Sequence, residues 1–302
     1  MEVEQLKNLL GEFDNKIKFE TDLKKKNWFN IGGKAKVFFK PENLKDLIKF
    51  VKKIQNKEKI FILGAGSNTL MTDKVFDGVV IKLGKNFNNI SLLERDIIIA
   101  GCATLDKSLS EFAMENNLSG FEFLSCIPGS IGGGLTMNAG CFGKEFKDIL
   151  LSIQALDRNG NIKTIMSKDI VFDYRKNNLP QDLIFLSASF KGAIGKKEDI
   201  KKKINRLIKI KETTQPTRIK TSGSTFKNPI SQTDKKVWEL IKESVPLDKT
   251  FGDAYISKKH CNFFVNKGNA TFEDMKKLID FVSKNVSEKT GIILEKEIKI
   301  LE

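Results

Sequence analysis

The chain has 302 residues, of which 40% are hydrophobic and 30% are charged, a balance typical of a soluble globular protein with room for two or three domains. Its 52 basic and 38 acidic residues give a net charge of +14. The basic residues are mostly lysines spread over the whole chain, and runs such as Lys24–Lys26 stand beside aliphatic positions at helical spacing, as on solvated faces. We therefore expect no nucleic-acid partner, whereas a positive field suits anionic substrates such as diphosphates and carboxylates.

The sequence carries no signal for a membrane span, for export or for a metal site. No apolar run approaches the roughly 18 residues that a membrane-spanning helix needs, and the charged segment MEVEQLKNLLGEF lacks the apolar core of a secretory signal. We expect a cytoplasmic protein without a membrane partner. The four cysteines, Cys102, Cys126, Cys141 and Cys261, lack CxxC or zinc spacing and are predicted to be small buried side chains. With a single histidine, His260, we expect no metal.

The first half of the chain alternates predicted helices and strands, and its early part has the pattern of a βαβ unit. In chain order the predicted elements are a helix over 4–18, the strand KVFFK, a helix with Leu44, Leu47, Ile48 and Val51 on its apolar face, the strands KIFILG, GVVIKLG and DIIIAG, and a helix over 105–117.

The second half is richer in short strands and ends in a smaller module. After a glycine-dense stretch over 128–143 we predict a hairpin of LSIQALD and NIKTIM around Arg158–Asn161, the strand DLIFLSASF and a lysine-rich helix over 196–211. A linker at Gln215-Pro216 leads into the module. Its predicted elements are the loop TSGSTFKNP, a helix near Trp238, the strand CNFFVN, a helix over 271–289 and the closing strand IILEKEIKIL. The whole pattern indicates the α+β class.

The first candidate site is the segment Gly64–Asn68, directly after an apolar strand. Its two glycines let the backbone approach a pyrophosphate and aim N–H groups at it. It is not the dinucleotide-binding fingerprint, because Thr69 stands where the third glycine belongs and no amphipathic helix follows. A tight turn at the end of a strand is an equally good interpretation.

The second candidate site runs from Gly129 to Gly140. Glycines at this density cost backbone entropy, so a purely structural loop would rarely be built this way. No GxxxxGK[ST] motif is present. The segment is predicted to wrap closely around a planar or phosphorylated ligand.

Six blocks, spread over roughly residues 20–300, carry a resemblance to a known family. In chain order they are GAGSN, PGSIGGGLTMNAG, DYR, SGSTFKNP, KHCNFFVN and LEKE. Together they resemble the UDP-N-acetylenolpyruvoylglucosamine reductases, whose FAD domain is of the vanillyl-alcohol-oxidase (PCMH) type. The resemblance implies an α+β fold with an FAD-binding region of two α+β subdomains over 1–205, split near residue 85, and a smaller α+β substrate-binding domain over 206–302.

The resemblance also implies non-covalent FAD and NADPH as the hydride donor. The reaction would reduce the double bond of UDP-N-acetylglucosamine enolpyruvate to give UDP-N-acetylmuramate, in peptidoglycan precursor synthesis. The residues implied to contact FAD are Ile31, Gly32, Gly33, Gly64, Ala65, Gly66, Ser67, Asn68, Pro128, Gly129, Ser130, Gly132, Gly133, Asn138, Ala139 and Gly140.

By the same resemblance Arg175, Ser224 and Glu297 occupy the catalytic positions, and Lys227, Asn228 and His260 fall in substrate-binding segments. The chemistry agrees with this assignment. Hydride addition places negative charge on the substrate carboxylate, which a fixed arginine fork stabilises more in the transition state than before it. Ser224 would deliver the proton to the adjacent carbon, and Glu297 is expected to be protonated or paired with Arg175.

Each of these residues also has a plainer interpretation. The pattern around Arg175 is also that of a surface arginine at the end of a strand. Without the resemblance, Ser222 is as good a candidate for the proton donor as Ser224. Glu297 fits an amphipathic edge strand, and His260 fits a packed or hydrogen-bonded histidine better than a general base.

One class of the family carries a tyrosine-bearing loop over the substrate, some distance beyond the DYR block. This chain has only Tyr174 and Tyr255, and the segment from Arg175 to Pro216 is too short for that loop. The chain is therefore predicted to belong to the class without it, which leaves open what clamps the UDP group.

The main alternative function is another flavoprotein of the same superfamily, such as a hydroxy-acid or lactone oxidase. Such an enzyme would share the glycine segments but would not need the SGSTFKNP and LEKE blocks. A basic nucleic-acid-binding module, the third possibility, would bind no flavin and would be retained on DNA in a salt-sensitive way.

Overall fold

The protein is described by a computed structural model that covers residues 1–13, 15–55 and 57–302. Its chain folds into two compact units, each assembled from three separate segments. The first unit consists of Met1–Thr21, Ala35–Ala65 and Asp77–Lys211, and the second of Asp22–Lys34, Gly66–Phe76 and Glu212–Glu302. The predicted functional division into 1–205, with its split near residue 85, and 206–302 stays a prediction.

The helices, in chain order, are α1 Val3–Leu10, α2 Leu44–Ile54, α3 Asp106–Glu115, α4 Ile131–Thr136, α5 Lys197–Thr214, α6 Val237–Ser244 and α7 Phe272–Thr290. The strands are β1 Ile17–Asp22, β2 Lys34–Phe39, β3 Ile60–Ile62, β4 Thr69–Met71, β5 Phe76–Ile81, β6 Ile90–Glu94, β7 Ile97–Gly101, β8 Leu118–Ser119, β9 Gly140–Cys141, β10 Lys144–Glu145, β11 Leu150–Leu156, β12 Ile162–Met166, β13 Phe172–Asp173, β14 Lys176–Asn177, β15 Ile184–Lys191, β16 Ala193–Ile194, β17 Thr250–Phe251, β18 Ala254–Ile256, β19 Phe264–Asn266 and β20 Lys299–Leu301. None of the helices among the described residues is long and apolar enough to cross a bilayer.

The first unit contains a four-stranded sheet of order β1-β2-β5-β3 that shares one hydrophobic core with α1 and α2. At the centre of this core the rings of Phe39 and Phe50 stack with centroids 3.9 Å apart, and Phe13 meets each of them edge-on at 5.7 Å. Strands β2 and β3 flank α2 as the βαβ pattern predicts, but β5 lies between them in the sheet and pairs with β3 in parallel.

The predicted N-terminal helix over 4–18 is too long. Helix α1 ends at Leu10, a 3-10 turn carries the chain to Phe13, and residues from Ile17 onward form β1. Buried or half-buried residues alternate with exposed ones along this strand, which is the two-residue period of a strand with one buried face. Pairing with β2 at the edge of the sheet therefore places these residues in a strand, although the residues before them have helical spacing.

A second sheet of the same unit has the order β12-β11-β15-β7-β6 and is antiparallel throughout. The predicted hairpin around Arg158–Asn161 joins β11 to β12, and the Asp157 carboxylate fixes the turn by accepting hydrogen bonds from the backbone N–H groups of Asn159 and Asn161. The core of this half contains residues of α3 and α4 together with the inner face of the sheet.

The glycine-dense stretch differs from its prediction as a loop, since it contains the helix α4. This helix is one and a half turns long and three of its six residues are glycines. Glycine is a poor helix former, so the helix depends on its surroundings: Ile131, Gly134 and Leu135 are buried in it.

The second unit packs α6 and α7 around the antiparallel strands β17-β18-β19. Helix α7 begins with a capping box, in which Thr271 and Asp274 bond each other's backbone N–H groups, and ends at Gly291 in the left-handed conformation (φ 73°). The predicted closing strand is much shorter than expected: β20 alone forms a strand, in parallel with β4. Phe29, Ile31 and Leu70 contribute to the same core, although they come from early parts of the chain.

Candidate active site

A cleft in the first unit lies where the two predicted glycine segments meet. It is lined by Ile62, Leu63, Gly64, Ala65, Lys82, Leu83, Cys102, Ala103, Leu105, Ser130, Gly132, Gly133, Thr136, Leu183 and Phe185. Five of the predicted cofactor residues are thus brought together: Gly64, Ala65, Ser130, Gly132 and Gly133.

The contact between Gly64 and Ser130 decides how closely these segments approach. A Cβ atom at Gly64 would lie 2.6 Å from the Ser130 hydroxyl oxygen, so that a side chain here would require this hydroxyl to move away. The Ser130 hydroxyl itself is buried and has no hydrogen-bond partner among the described residues. It is therefore a group that a ligand can satisfy.

The start of α4 is fixed by the protein itself. The N–H groups of Ile131 and Gly132 donate to the carbonyl oxygens of Thr104 and Cys102, at 2.9 and 3.0 Å. These amides are therefore already bonded within the protein. The glycines of α4 therefore serve mainly to let a ligand approach the backbone closely, and less to donate hydrogen bonds to it.

Lys82 places a positive charge in the cleft. Its ammonium group donates to the Gly64 carbonyl oxygen at 3.1 Å, which holds it beside the first glycine segment. The sequence analysis missed this residue, because one lysine among many at the end of a strand carries no distinguishing signal. It also missed the apolar lining residues Leu183 and Phe185, which have the pattern of any core strand.

Arg175 is held on a tight hairpin of the first unit. Strands β13 and β14 pair with Tyr174 and Arg175 as the turn between them, and Arg175 adopts a φ of 56°, a left-handed conformation uncommon for a residue with a side chain. Its guanidinium donates to the Gly140 carbonyl oxygen at 2.7 Å, lies 3.4 Å from the Glu145 carboxylate and covers the Tyr174 ring at 4.9 Å. The side chain is only 15% exposed. This arginine is a positioned group and not a mobile surface residue.

The segment Asn138–Gly140 helps to hold the Arg175 side chain, directly through Gly140 and indirectly through Asn138. Asn138 is fully buried, and its side-chain amide donates to the Glu145 carboxylate at 3.0 Å and to the Asp173 carbonyl oxygen at 3.2 Å. Ala139 is buried in the same core. The predicted FAD contacts of Asn138, Ala139 and Gly140 stay a prediction, as do those of Pro128 and Gly129, which do not line this cleft.

Ser224 and Glu297 both belong to the second unit, where backbone pairing brings their segments together. The N–H group of Glu297 donates to the carbonyl oxygen of Thr225 at 2.8 Å. The Asn68 side-chain amide donates to the Glu297 carbonyl oxygen at 3.0 Å. The neighbouring Ser222 is 2% exposed and its hydroxyl donates to the Thr69 carbonyl oxygen, so this hydroxyl has a structural role.

The three predicted substrate residues lie in the same unit. The Lys227 ammonium pairs with the Glu295 carboxylate at 2.5 Å, and the Asn228 side-chain oxygen accepts a hydrogen bond from the Val237 N–H at the start of α6. The His260 ring meets Phe263 edge-on at 4.8 Å, and its buried Nδ1 has no hydrogen-bond partner among the described residues. Burial lowers the pKa of His260, so the ring is neutral at pH 7.

The remaining predicted cofactor residues also belong to the second unit. The segment Ile31–Gly33 is anchored by the Gly33 N–H, which donates to the Thr72 carbonyl oxygen at 2.6 Å, while Ile31 is part of the core. Gly66 accepts a hydrogen bond from the Trp28 N–H, and Ser67 is half-buried. Their contact with FAD, like that of Gly32 and Asn68, stays a prediction. No group of acidic, histidine or cysteine side chains that could hold a metal ion is found among the residues that the structure describes.

Comparisons with known proteins identify the class to which this cleft belongs. Residues 35–166 match a family model described as an FAD binding domain, and residues 215–301 match the UDP-N-acetylenolpyruvoylglucosamine reductase, C-terminal domain. The fold and the cleft therefore define an FAD-binding protein of the α+β class.

Whole-chain comparisons give the family. The UDP-N-acetylenolpyruvoylglucosamine reductase of Pelagibacter ubique is 66% identical over 301 residues, which cover 100% of both chains. That of Rickettsia typhi is 45% identical over 97% of this chain and 98% of its own. The crystal structure of the Thermus caldophilus reductase, 29% identical, matches with a TM-score of 0.80 over 95% of this chain and 98% of that chain. The chain belongs to the UDP-N-acetylenolpyruvoylglucosamine reductase family, and the predicted family and fold class are confirmed.

The residues of the cleft fit part of an FAD molecule. The cleft has a volume of about 160 Å³, less than the roughly 300–1,000 Å³ of pockets that enclose a drug-sized ligand. Ser130 offers an unsatisfied hydroxyl, Lys82 offers a charge for a phosphate, and α4 offers a glycine surface without side chains.

Substitutions at two neighbouring glycines of α4 should distinguish an effect on FAD binding from an effect on folding. A methyl group at Gly133 would have the Ser130 hydroxyl as its nearest neighbour at 3.6 Å, whereas one at Gly134 would lie 2.2 Å from the Phe146 ring. Gly133→Ala should keep or slightly raise the thermal stability of the apoprotein, because alanine favours a helix by about 0.5–1 kcal/mol, and should weaken FAD binding at least about tenfold. Gly134→Ala should destabilise the apoprotein by about 1–3 kcal/mol.

Thermal denaturation of the two apoproteins and titration of flavin fluorescence measure these effects. Normal FAD affinity in Gly133→Ala would show that the face of α4 at Gly133 does not contact the cofactor.

Proposed function

We propose that the protein is an FAD-dependent reductase that uses NADPH to convert UDP-N-acetylglucosamine enolpyruvate to UDP-N-acetylmuramate, in peptidoglycan precursor synthesis. The observation that carries this proposal is the 66% identity over the whole chain to the Pelagibacter ubique reductase. The match of residues 215–301 to the C-terminal domain of that reductase speaks against a hydroxy-acid or lactone oxidase of the same superfamily. We further propose that FAD is bound non-covalently, that the enzyme is cytoplasmic and that it uses no metal.

When bound, FAD supplies hydride transfer from NADPH to the enolpyruvyl double bond. Arg175 then stabilises the negative charge that develops on the substrate carboxylate. Its guanidinium is already oriented by Gly140, Glu145 and Tyr174, so little reorganisation is needed when the charge appears. Preorganised cations of this kind stabilise the transition state more than the ground state.

Ser224 donates the proton to the carbon next to the one that receives hydride. Serine is a weak acid, but the carbon of an enediolate is a strong base. Glu297, whose backbone is bonded beside Thr225, completes the catalytic set. Lys227, Asn228 and His260 bind the substrate, with His260 acting as a neutral hydrogen-bonding group.

A direct test measures NADPH oxidation by the purified protein with and without the enolpyruvyl UDP-sugar, in the absence of oxygen. The protein should be yellow, acid should release its flavin into the supernatant, and NADPH should be consumed in a one-to-one ratio with the UDP-sugar. Consumption that needs oxygen and ignores the UDP-sugar would assign the protein to the oxidases instead.

Arg175→Lys keeps the charge but loses the planar fork that contacts Gly140 and Glu145. Turnover should fall by at least about 10²-fold with FAD content unchanged. Arg218→Lys is the matched control, because Arg218 is an exposed arginine with the same left-handed backbone (φ 58°). Turnover near normal in Arg175→Lys would mean that another cation holds the carboxylate.

Ser224→Ala should affect only the second half-reaction. Reduction of FAD by NADPH should be nearly unchanged, while reoxidation by the UDP-sugar should slow by about 10²–10⁴-fold, the usual contribution of a general acid. Ser224→Cys should recover part of the loss. Stopped-flow absorbance of the flavin measures both steps.

Ser222→Ala is the control for this experiment, since Ser222 bonds the Thr69 carbonyl oxygen and should have a modest effect on either step. Equal slowing of both steps in Ser224→Ala would indicate a defect in folding or FAD binding, and normal reoxidation would remove Ser224 from the mechanism.

A further inference from the structure

The segment that carries Ser224 lies between two other parts of the second unit and is hydrogen-bonded to both. On one side, the Glu297 N–H donates to the Thr225 carbonyl oxygen at 2.8 Å. On the other side, Ser224 forms an antiparallel backbone bridge with Phe263. The location of the predicted proton donor therefore depends on what holds this middle segment, residues 224–227.

One side chain, that of Asn262, makes two hydrogen bonds to the backbone of the middle segment. Its Oδ1 accepts from the Phe226 N–H at 3.0 Å, and its Nδ2 donates to the Phe226 carbonyl oxygen at 2.9 Å. The orientation of the amide follows from Phe226, which offers it one donor and one acceptor. The backbone carbonyl oxygen of Asn262 also accepts a hydrogen bond from the Thr225 N–H, at 2.8 Å. The side-chain amide thus takes the place that a peptide group of a neighbouring strand would have.

Burial makes these hydrogen bonds hard to replace. Asn262 is 2% exposed and Phe226 is 1% exposed, and the Phe226 ring meets the Phe264 ring edge-on at 5.9 Å within the core of the unit. Because water cannot reach these groups, loss of the amide leaves the N–H and carbonyl of Phe226 without partners. The segment then has to shift to satisfy them, and Ser224 is only two residues away.

The chain before Ser224 constrains it less. Ser222 is anchored through its hydroxyl to the Thr69 carbonyl oxygen, but Gly223 separates it from Ser224. Gly223 has a left-handed φ of 78°, and a Cβ atom there would meet no other group of the described residues within 4 Å. Glycine without packing contacts transmits the location of one neighbour to the next poorly. The hold on Phe226 is therefore the stronger constraint on Ser224.

We propose that Asn262 is a positioning residue of the reductase, whose side-chain amide fixes residues 224–227 and so holds the Ser224 hydroxyl where it can give its proton to the substrate. The proposal rests on the proposed function, because it takes Ser224 to be the proton donor. It assigns Asn262 no contact with the substrate or with FAD. A displacement of about 1 Å at a reacting group can slow a reaction by about 10²-fold, so the hold on this segment has a kinetic consequence.

Asn266 provides a matched control in the same stretch of chain. It is also 2% exposed, its Nδ2 donates to the Phe29 carbonyl oxygen at 2.8 Å, and its Oδ1 accepts from two backbone N–H groups of the following turn at 2.9 Å each. None of these three side-chain hydrogen bonds goes to residues 224–227. Loss of either amide should lower the thermal stability by a similar amount, but only the loss of Asn262 should slow proton transfer.

The test compares wild type, Asn262→Ala and Asn266→Ala as FAD-loaded proteins in the absence of oxygen. Stopped-flow absorbance follows reduction of the flavin by NADPH and its reoxidation by saturating UDP-N-acetylglucosamine enolpyruvate. In Asn262→Ala, reduction should be nearly unchanged and reoxidation should slow by about 10²-fold. In Asn266→Ala both steps should stay close to those of the wild type. Equal slowing of reoxidation in the two variants, or normal reoxidation in Asn262→Ala, would overturn the proposal.

A double variant shows whether Asn262 acts through Ser224. If its kinetic effect is to place the Ser224 hydroxyl, Asn262→Ala should slow reoxidation no further in a protein that already carries Ser224→Ala. Effects that multiply would contradict this. A wild-type protein whose reduced flavin is not reoxidised by the UDP-sugar would instead refute the proposed function, so the two failures are distinguishable.

Asn262→Asp tests the hydrogen bonds themselves and decides the matter if Asn262→Ala does not fold. Aspartate has the shape of asparagine, but when ionised it directs an oxygen at the Phe226 carbonyl oxygen, whereas the protonated acid can again accept and donate. The reoxidation rate of this variant, divided by that of the wild type at the same pH, should therefore rise as the pH falls. A ratio independent of pH, or a variant that stays unfolded at a low pH where the wild type is folded, would sink the proposal.

Discussion

The close approach of two backbone segments is the constraint on which the cofactor cleft depends. Gly64, at the end of the strand β3, lies so near Ser130 that a side chain at residue 64 would collide with the serine hydroxyl. The adjoining α4 is equally confined, since Gly134 faces the Phe146 ring with no room for a methyl group. The absence of side chains therefore determines the shape of the cleft. Glycine destabilises a helix, and the core around α4 offsets that cost through the burial of Ile131 and Leu135.

The orientation of Arg175 shows how a charged group is prepared before substrate arrives. Its backbone takes a left-handed conformation that costs of order 1 kcal/mol or more, and the pairing of β13 with β14 enforces it. The guanidinium is directed by the Gly140 carbonyl oxygen, while the buried Asn138 amide fixes Glu145. Asn138 thus influences the cation through Glu145. The motif NAG, which resemblance assigns to FAD contact, has at least this structural function.

Local signals could be read from the sequence with good accuracy. The hairpin around Arg158–Asn161, the helix α2 and the long helix α7 each have a complete pattern within a few residues, including the capping box at Thr271. The family could be recognised because its six blocks are contiguous stretches that occur in order along the chain. The convergence of Gly64 with Ser130 could be anticipated only through that resemblance, because nothing in either segment encodes the other.

Other features are invisible in the sequence because they depend on distant residues. The helix α4 is stabilised by burial against residues such as Phe146, which helix propensity does not register. Residues 17 and 18 are predicted as the end of a helix, yet they begin an edge strand because β2 lies beside them. Lys82 lines the cleft because it lies beside Gly64, which comes from a distant part of the chain. Such contacts become apparent only when the topology is known.

The second unit has an implication for the order in which the chain can fold. Its core combines Phe29, Ile31 and Leu70 with residues of α7 near the other end of the chain, and β20 pairs with β4. Contacts of such long sequence separation form slowly, because a large loop must close before they contribute. During synthesis the segments Asp22–Lys34 and Gly66–Phe76 would emerge from the ribosome long before their partners exist, and they must wait for the last residues of the chain. A C-terminal fragment cut at residue 215, where the family model begins, would lack one strand and part of its own core. The boundary that defines this domain in sequence is therefore not the boundary of an independently folding body.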